Sequence, residues 1–126
     1  MNDSASGSSD STCVLDMRVI QDLRDLGGED DPGLLLELID MFLHDAPTRM
    51  AEIDASLKNG DIKTLERAAH TLKSSCANIG ALGLSTLCKQ MEEHARQKSV
   101  EPIPSLLDAS TKSLAEVAAA LRSLPA

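Results

Sequence analysis

One histidine of the chain, His70, stands among neighbours that suit phosphoryl chemistry. Histidine is the side chain that is commonly neutral, and therefore nucleophilic, at pH 7. Lys73 follows one helical turn later and could offset the charge of a phosphoryl group on the ring. On the same helix face, Arg67 lies one turn before the ring, and the short side chains of Ser74 and Ala77 lie after it. This spacing predicts a ring that a second protein can approach.

The helix that must carry His70 is predicted by a regular apolar pattern. Asp61 suits the N-cap position, and Gly80 suits the end of the helix. Between them, apolar side chains recur at steps of three and four residues: Ile62, Leu65, Ala69, Leu72, Cys76 and Ile79. This pattern is the a/d seam of a helix that packs in a bundle, and it places His70 at a b position. The imidazole is therefore predicted to point away from the seam.

Similar patterns predict helices on both sides of this one. They run from Asp16 to Gly27, from Pro32 to Asn59, from Gly83 or Ser85 to about Gln97, and from Pro102 or Pro104 to Pro125. Pro47 should kink or split the second segment, which is either one bent helix or two in series. Because every connection is short, sequential helices should pack antiparallel. The predicted fold is all-α, an antiparallel up-and-down four-helix bundle with a short N-terminal capping helix.

Composition restricts the partners. Residues 1–13 are small and polar and are predicted to be a disordered tail, whereas residues 14–126 form one domain. A net charge of −8 and a single aromatic residue argue against nucleic acid. The chain shows neither a signal peptide nor an apolar run of about 18 residues, so we expect a cytoplasmic protein with no membrane segment. A monomer is expected, because every apolar stripe has a place within one bundle.

Other residues that could do chemistry have simpler interpretations. His44 and His94 lack neighbours like those of His70, and we interpret both as surface residues. Glu92, Glu93 and His94 are adjacent, which is the wrong spacing for metal ligands on one helix face. The three cysteines have neither paired nor Cys-x-x-Cys spacing, so no zinc site and no disulfide framework is predicted: Cys13, Cys76 and Cys88.

The segment AAHTLKSSCANIGALGLSTLCKQMEEHAR, residues 68–96, resembles the histidine-containing phosphotransfer (HPt) family. The hallmark of that family reads His-x-x-Lys-Gly-Ser, followed by Gly-Ala near the helix end. The matching residues here are His70, Lys73, Ser75, Gly80 and Ala81. Upstream, LRDLGGEDDPGLLLELIDMFLHDAP looks like the opening helices of the family. The likeness spans roughly residues 14–124.

The resemblance implies a role for each matching position. His70 would be the phosphoacceptor, through Nε2, and Lys73 the cation beside the phosphoryl group. Ser74 occupies the usual Gly position of the family, where the receiver domain comes close. Glu92 aligns with a residue that bonds the other ring nitrogen, although Glu93 sits beside it, and a solvated acidic face is the alternative for both.

The resemblance also implies the function. Such proteins relay a phosphoryl group between receiver-domain aspartates of a hybrid sensor kinase and a response regulator. The aspartate and Mg²⁺ reside on the receiver, so this chain needs no cofactor and no metal of its own. It has no Gly-rich phosphate loop, and no kinase activity is expected. Two alternatives are an HPt-like module that binds without accepting phosphate, which the intact His70 and Lys73 argue against, and a helical scaffold with a fortuitous motif.

Overall fold

The computed structural model describes residues 14–124. The predicted tail and the predicted stop at Pro125 lie outside the described residues. Between Met17 and Arg122, five helices follow one another: α1 (Met17–Gly27), α2 (Leu34–Asn59), α3 (Ile62–Asn78), α4 (Leu82–Arg96) and α5 (Ile103–Arg122). The described part contains no strand. The predicted four-helix bundle with a short N-terminal helix is confirmed.

Helix α3 begins at the predicted cap. The Asp61 carboxylate accepts hydrogen bonds from the backbone N–H of Thr64 at 3.2 Å and from its hydroxyl at 2.7 Å. These bonds lower the pKa of Asp61. The seam below the cap is fully buried at four positions: Leu65, Ala69, Leu72 and Cys76. Burial of this one face fixes which side of α3 remains exposed to solvent.

Helix α2 runs without interruption through Pro47, which resolves the choice between one helix and two. Proline removes one backbone donor from the helix interior. The apolar face nevertheless continues across it, with Phe42 and Ala46 buried before the proline and Met50 and Ile53 buried after it. Packing of this face compensates for the missing hydrogen bond and keeps the two halves in one helix.

Helix α4 begins at Leu82, earlier than the predicted start at Gly83 or Ser85. The prediction placed this start too late, because no side chain caps the helix and the boundary therefore has no marker in the sequence. Instead, the buried Ala81 accepts the first helical hydrogen bond, from the Ser85 amide at 2.9 Å. Its own amide donates to the Cys76 carbonyl at 2.8 Å. The turn between α3 and α4 is thus closed by backbone groups.

The helices pack in chain order, with α3 between α2 and α4, and α5 against both α4 and α2. Helix α1 packs on α2, and its start is tied to the turn after α3 by a 2.8 Å hydrogen bond from the Asp16 amide to the Gly80 carbonyl. The close α3–α4 pair is the part of the bundle that brings residues of both helices to His70. Within residues 14–124, no helix is both long enough and apolar enough to cross a membrane.

Candidate functional site

His70 lies in the middle of α3, on the side opposite the buried seam. Its side chain is 58% exposed, whereas its neighbours Ala69 and Leu72 are fully buried. The ring therefore projects from a helix that packing holds in place. Exposure of a nucleophilic ring on a rigid element is the geometry that transfer between two proteins requires.

The ring has a partner on the neighbouring helix. Glu92, on α4, is only 3% exposed, and its Oε2 atom lies 2.8 Å from Nδ1 of His70. A carboxylate can only accept in this hydrogen bond, so the Nδ1 atom carries the proton. In the neutral ring, the proton on Nδ1 leaves Nε2 with its lone pair free.

Two cationic side chains form ion pairs with the Glu92 carboxylate. Nζ of Lys73 lies 2.7 Å from Oε1, and Nη2 of Arg96 lies 2.8 Å from Oε2. Burial raises the pKa of Glu92, but the ion pair with Lys73 and the hydrogen bond from His70 lower it by a larger amount, so that the pKa lies below the ordinary glutamate value. Glu92 is therefore a charged acceptor at neutral pH.

Arg96 also reaches back to α3. Its Nε atom lies 3.2 Å from Oε2 of Glu66, and the hydrogen bond to Glu66 together with the charge of Glu92 raises the pKa of Arg96. Arg96 was not among the residues predicted from the sequence. The four-residue spacing of Glu92 and Arg96 was a usable signal for their pairing, but nothing local in the sequence connects Arg96 with Glu66.

A recess of about 450 Å³ opens beside the ring. We call it the His70 recess, and its lining residues are Lys63, Glu66, Arg67, His70, Glu92 and Arg96. Of the predicted partner-binding residues, Arg67 lines this recess. Ser74 and Ala77 are exposed further along α3. The structure thus brings His70, Lys73 and Glu92 into contact, and leaves the three partner-binding candidates free on the surface beside them.

The remaining candidate residues, Glu93, His44 and His94, differ in how exposed they are. Glu93 is exposed, unlike the adjacent Glu92, so the solvated acidic face describes Glu93 only. His44 is exposed, as predicted. His94 corrects the prediction of a surface residue: it is half-buried, and its Nδ1 atom is shielded without a hydrogen-bond partner in the described part of the chain.

The two cysteines within the described range are fully buried and free: Cys76 and Cys88. A hydrogen bond with Cys88, together with burial, raises the pKa of the Cys76 thiol. Such thiols are poor nucleophiles. Among residues 14–124, no three His, Cys, Asp or Glu side chains are grouped to hold a metal ion.

Comparison with known proteins gives consistent relatives. A family model described as the Hpt domain matches residues 37–123. The chain is 37% identical over 68 residues to the sensor protein TorS of Escherichia coli K12, which is 54% of this chain and 7% of that protein. It is 28% identical over 91 residues to the phosphorelay intermediate protein YPD1 of Candida albicans, which is 72% of this chain and 49% of that protein. The chain therefore spans less than half the length of these curated relatives.

Solved structures agree with the fold. The histidine-containing phosphotransfer protein HptB of Pseudomonas aeruginosa PAO1 superimposes with a TM-score of 0.80 and 31% identity, over 86% of this chain and 91% of that one. A rice protein described as a histidine-containing phosphotransfer protein gives a TM-score of 0.78 at 24% identity, over 89% of this chain and 81% of that one. The second likeness supports the fold alone.

Proposed function

This chain belongs to the Hpt domain family, and from that membership we propose that it carries a phosphoryl group on His70 between receiver domains of a two-component phosphorelay. The donor is a phosphorylated receiver aspartate of a hybrid sensor kinase, and the acceptor is the receiver aspartate of a response regulator. The observation that carries this proposal is the exposed ring of His70 with its Nδ1 atom 2.8 Å from the buried carboxylate of Glu92.

The transfer step follows from this hydrogen bond. The Nε2 lone pair attacks the phosphorus atom, and the bond from phosphorus to the aspartate oxygen breaks, with its electron pair leaving on the aspartate. The Nδ1 proton stays on the ring, so the new positive charge of the ring faces the Glu92 carboxylate. Lys73 lies one helical turn after His70, its side chain is 28% exposed, and we propose that its ammonium group turns towards the incoming phosphoryl group. Return of the group to a second aspartate reverses these steps.

The surface around the ring fits a docking partner. Arg67 supplies positive charge at the His70 recess, and Ser74 and Ala77 provide small exposed side chains along α3. We propose that these three residues contact the receiver domain, which brings the aspartate and Mg²⁺. In this reading the chain is a monomeric phosphocarrier of the cytoplasm, without kinase activity, and residues 14–126 form its domain.

Incubation with a receiver domain that carries ³²P on its aspartate tests the proposal. The wild-type protein is expected to acquire a label that is labile in acid and stable in base, as a phosphorus–nitrogen bond is. The His70→Gln variant should acquire none, whereas His44→Gln, a matched change of an exposed histidine, should be labelled normally. Label that persists on His70→Gln places the acceptor elsewhere. Receiver binding without any label supports a module that only binds.

A further inference from the structure

Arg96 is the residue of the site that has contacts on both helices. Its Nη2 atom lies 2.8 Å from Oε2 of Glu92, four residues earlier on α4. Its Nε atom lies 3.2 Å from Oε2 of Glu66 on α3. The guanidinium group has a fixed planar fork of donors, so contacts through two different nitrogens constrain its orientation. Arg96 therefore fixes Glu92 relative to the helix that carries His70.

The same carboxylate oxygen serves Arg96 and the imidazole. Oε2 of Glu92 is 2.8 Å from Nη2 of Arg96 and 2.8 Å from Nδ1 of His70. The other oxygen, Oε1, is occupied by Lys73 at 2.7 Å. Rotation of the carboxylate about its terminal bond would move Oε2 away from both partners. The contacts of Lys73 with Oε1 and of Arg96 with Oε2 both oppose this rotation, and only the contact with Arg96 remains when the ammonium group of Lys73 moves away.

The arrangement matters most during transfer. When Lys73 turns towards an incoming phosphoryl group, Oε1 loses its cation. Among the described residues, the ion pairs of Glu92 are those with His70, Lys73 and Arg96. Arg96 is then the one permanent cation left beside this 3%-exposed carboxylate. A buried carboxylate without a permanent cation takes up a proton more readily and becomes a weaker acceptor.

We propose that Arg96 is a positioning residue for phosphotransfer, holding Glu92 so that Oε2 accepts the Nδ1 proton of His70 throughout the reaction. This inference rests on the proposed function of His70 and adds a residue that acts through Glu92 without touching the phosphoryl group. Its role differs from that of Arg67, which lines the same recess and faces the partner.

The first test observes the ring directly in the unphosphorylated protein. Long-range ¹H–¹⁵N spectra report which nitrogen of His70 carries the proton. The wild type is expected to show the proton on Nδ1, and Arg96→Ala to show a mixture of the two tautomers. Arg96→Lys should restore most of the wild-type spectrum. Arg49→Ala is the matched control, because Arg49 also pairs with two carboxylates, Asp45 and Glu52, on the separate helix α2.

The second test measures the rate of transfer from a ³²P-labelled receiver domain. Arg96→Ala should lower the rate by about three- to tenfold, the range expected for a partly exposed contact with a charged group. Because Arg96 acts through Glu92, the same substitution should have little further effect in a Glu92→Gln background. Glu66→Gln, which loosens Arg96 without removing it, should produce a smaller decrease. Thermal unfolding of each variant separates loss of fold from loss of rate.

The outcomes distinguish this inference from the proposed function. A wild-type spectrum and a wild-type rate for Arg96→Ala overturn the role of Arg96 and leave the relay intact. An equal loss of rate in the Glu92→Gln background also overturns it, because the effect would then not pass through Glu92. If the wild type accepts no label from any receiver, the relay fails, while the tautomer spectra still decide whether Arg96 orients the ring.

Discussion

Glu92 combines nearly complete burial with a full negative charge. A buried charge is destabilising unless other groups pair with it, and here a ring nitrogen, an ammonium and a guanidinium surround the carboxylate. The same contacts that keep the charge stable also fix the proton on Nδ1 of His70. Stability and reactivity are thus coupled through one side chain.

Glu92→Gln is expected to lower stability at neutral pH and to show a distinct pH dependence. Because the pKa of Glu92 in the folded protein is depressed, the stabilisation by its charge is present above the unfolded value of about 4.3 and is lost as the pH falls through the folded value. Denaturation by urea from neutral to acidic pH should show the difference between the wild type and the variant shrinking as the pH falls below the unfolded value of about 4.3. A constant difference down to the lowest pH would contradict this assignment.

Ser74→Gly is expected to change docking and stability in opposite directions. The exposed side chain of Ser74 lies one turn beyond the ring, where removal of its atoms gives a receiver closer access. Glycine in a helix interior is less favourable than serine by about 0.5 kcal/mol. Stopped-flow transfer assays should therefore show a faster rate, and thermal unfolding a slightly lower Tm. Ser74→Leu is the control with a larger side chain at the same position, and it should slow transfer without lowering the Tm.

The residues of the site could be predicted from the sequence where they share one helix. The relation of His70 to Lys73 follows from helical spacing alone. The position of Glu92 depended on the family resemblance, and its contact with Nδ1 depends on how α3 and α4 pack. The contact of Arg96 with Glu66 has no local signal, because it is created by the crossing of two helices.

Among the connecting elements, the turn after α3 has the strictest requirement for glycine. Gly80 has a φ of +84°, and a Cβ atom there would lie 3.0 Å from the Asp16 carbonyl oxygen and 3.2 Å from Cβ of Val19. Gly60, in the turn before α3, has a φ of +73° but nothing within 4 Å of a Cβ atom. A comparison of substitutions in the two turns can therefore separate the effect of backbone strain, which is present at both, from the effect of close packing, which is present only at Gly80.

Gly80→Ala should destabilise the protein by about 1–3 kcal/mol, because strain and crowding add at that position. Gly60→Ala should lose only about 1 kcal/mol, from its left-handed backbone. Urea denaturation of the two variants gives both values. Equal losses would show that α1 moves aside at Gly80 without a penalty and that the contact with Asp16 is not restrictive.

The helices themselves were predictable where a side chain marks the boundary. Asp16 and Asp61 each accept a backbone hydrogen bond at a helix start, and the two helices were predicted to begin at these residues. The start of α4 has no such side chain. The local sequence could not show whether α2 continues through Pro47, because continuity depends on how the apolar face of the helix packs against the bundle.

On the scale of the whole molecule, charge is unevenly distributed. The chain has a net charge of −8, yet the His70 recess is lined by three cations, Lys63, Arg67 and Arg96, and by two carboxylates, Glu66 and Glu92, both of which pair with Arg96. In the proposed relay, this small local excess of positive charge orients an approaching receiver domain whose reactive site is an aspartate. Electrostatic complementarity of this kind acts mainly on the rate of association.

Raising the ionic strength is expected to slow transfer at low receiver concentration and to leave the rate at saturation unchanged. Screening shortens the range of the field from about 10 Å at 0.1 M salt to about 3 Å at 1 M. Arg67→Glu should slow association in the same way, and its effect should diminish as salt is added. Rapid-quench assays over a series of receiver concentrations separate the two rates. A salt effect on the rate at saturating receiver would contradict the idea that the charges of the recess act only on association.

The reactive ring is presented on a single exposed side of α3, and the opposite side of the helix is buried. In the proposed relay, a donor and an acceptor that both react with Nε2 must therefore occupy the same surface, so their complexes with this chain are expected to be mutually exclusive. An unphosphorylated donor present in excess is then expected to act as a competitive inhibitor of delivery to the acceptor. The output of the pathway then depends on the stoichiometry of the three proteins as well as on the rate of each transfer.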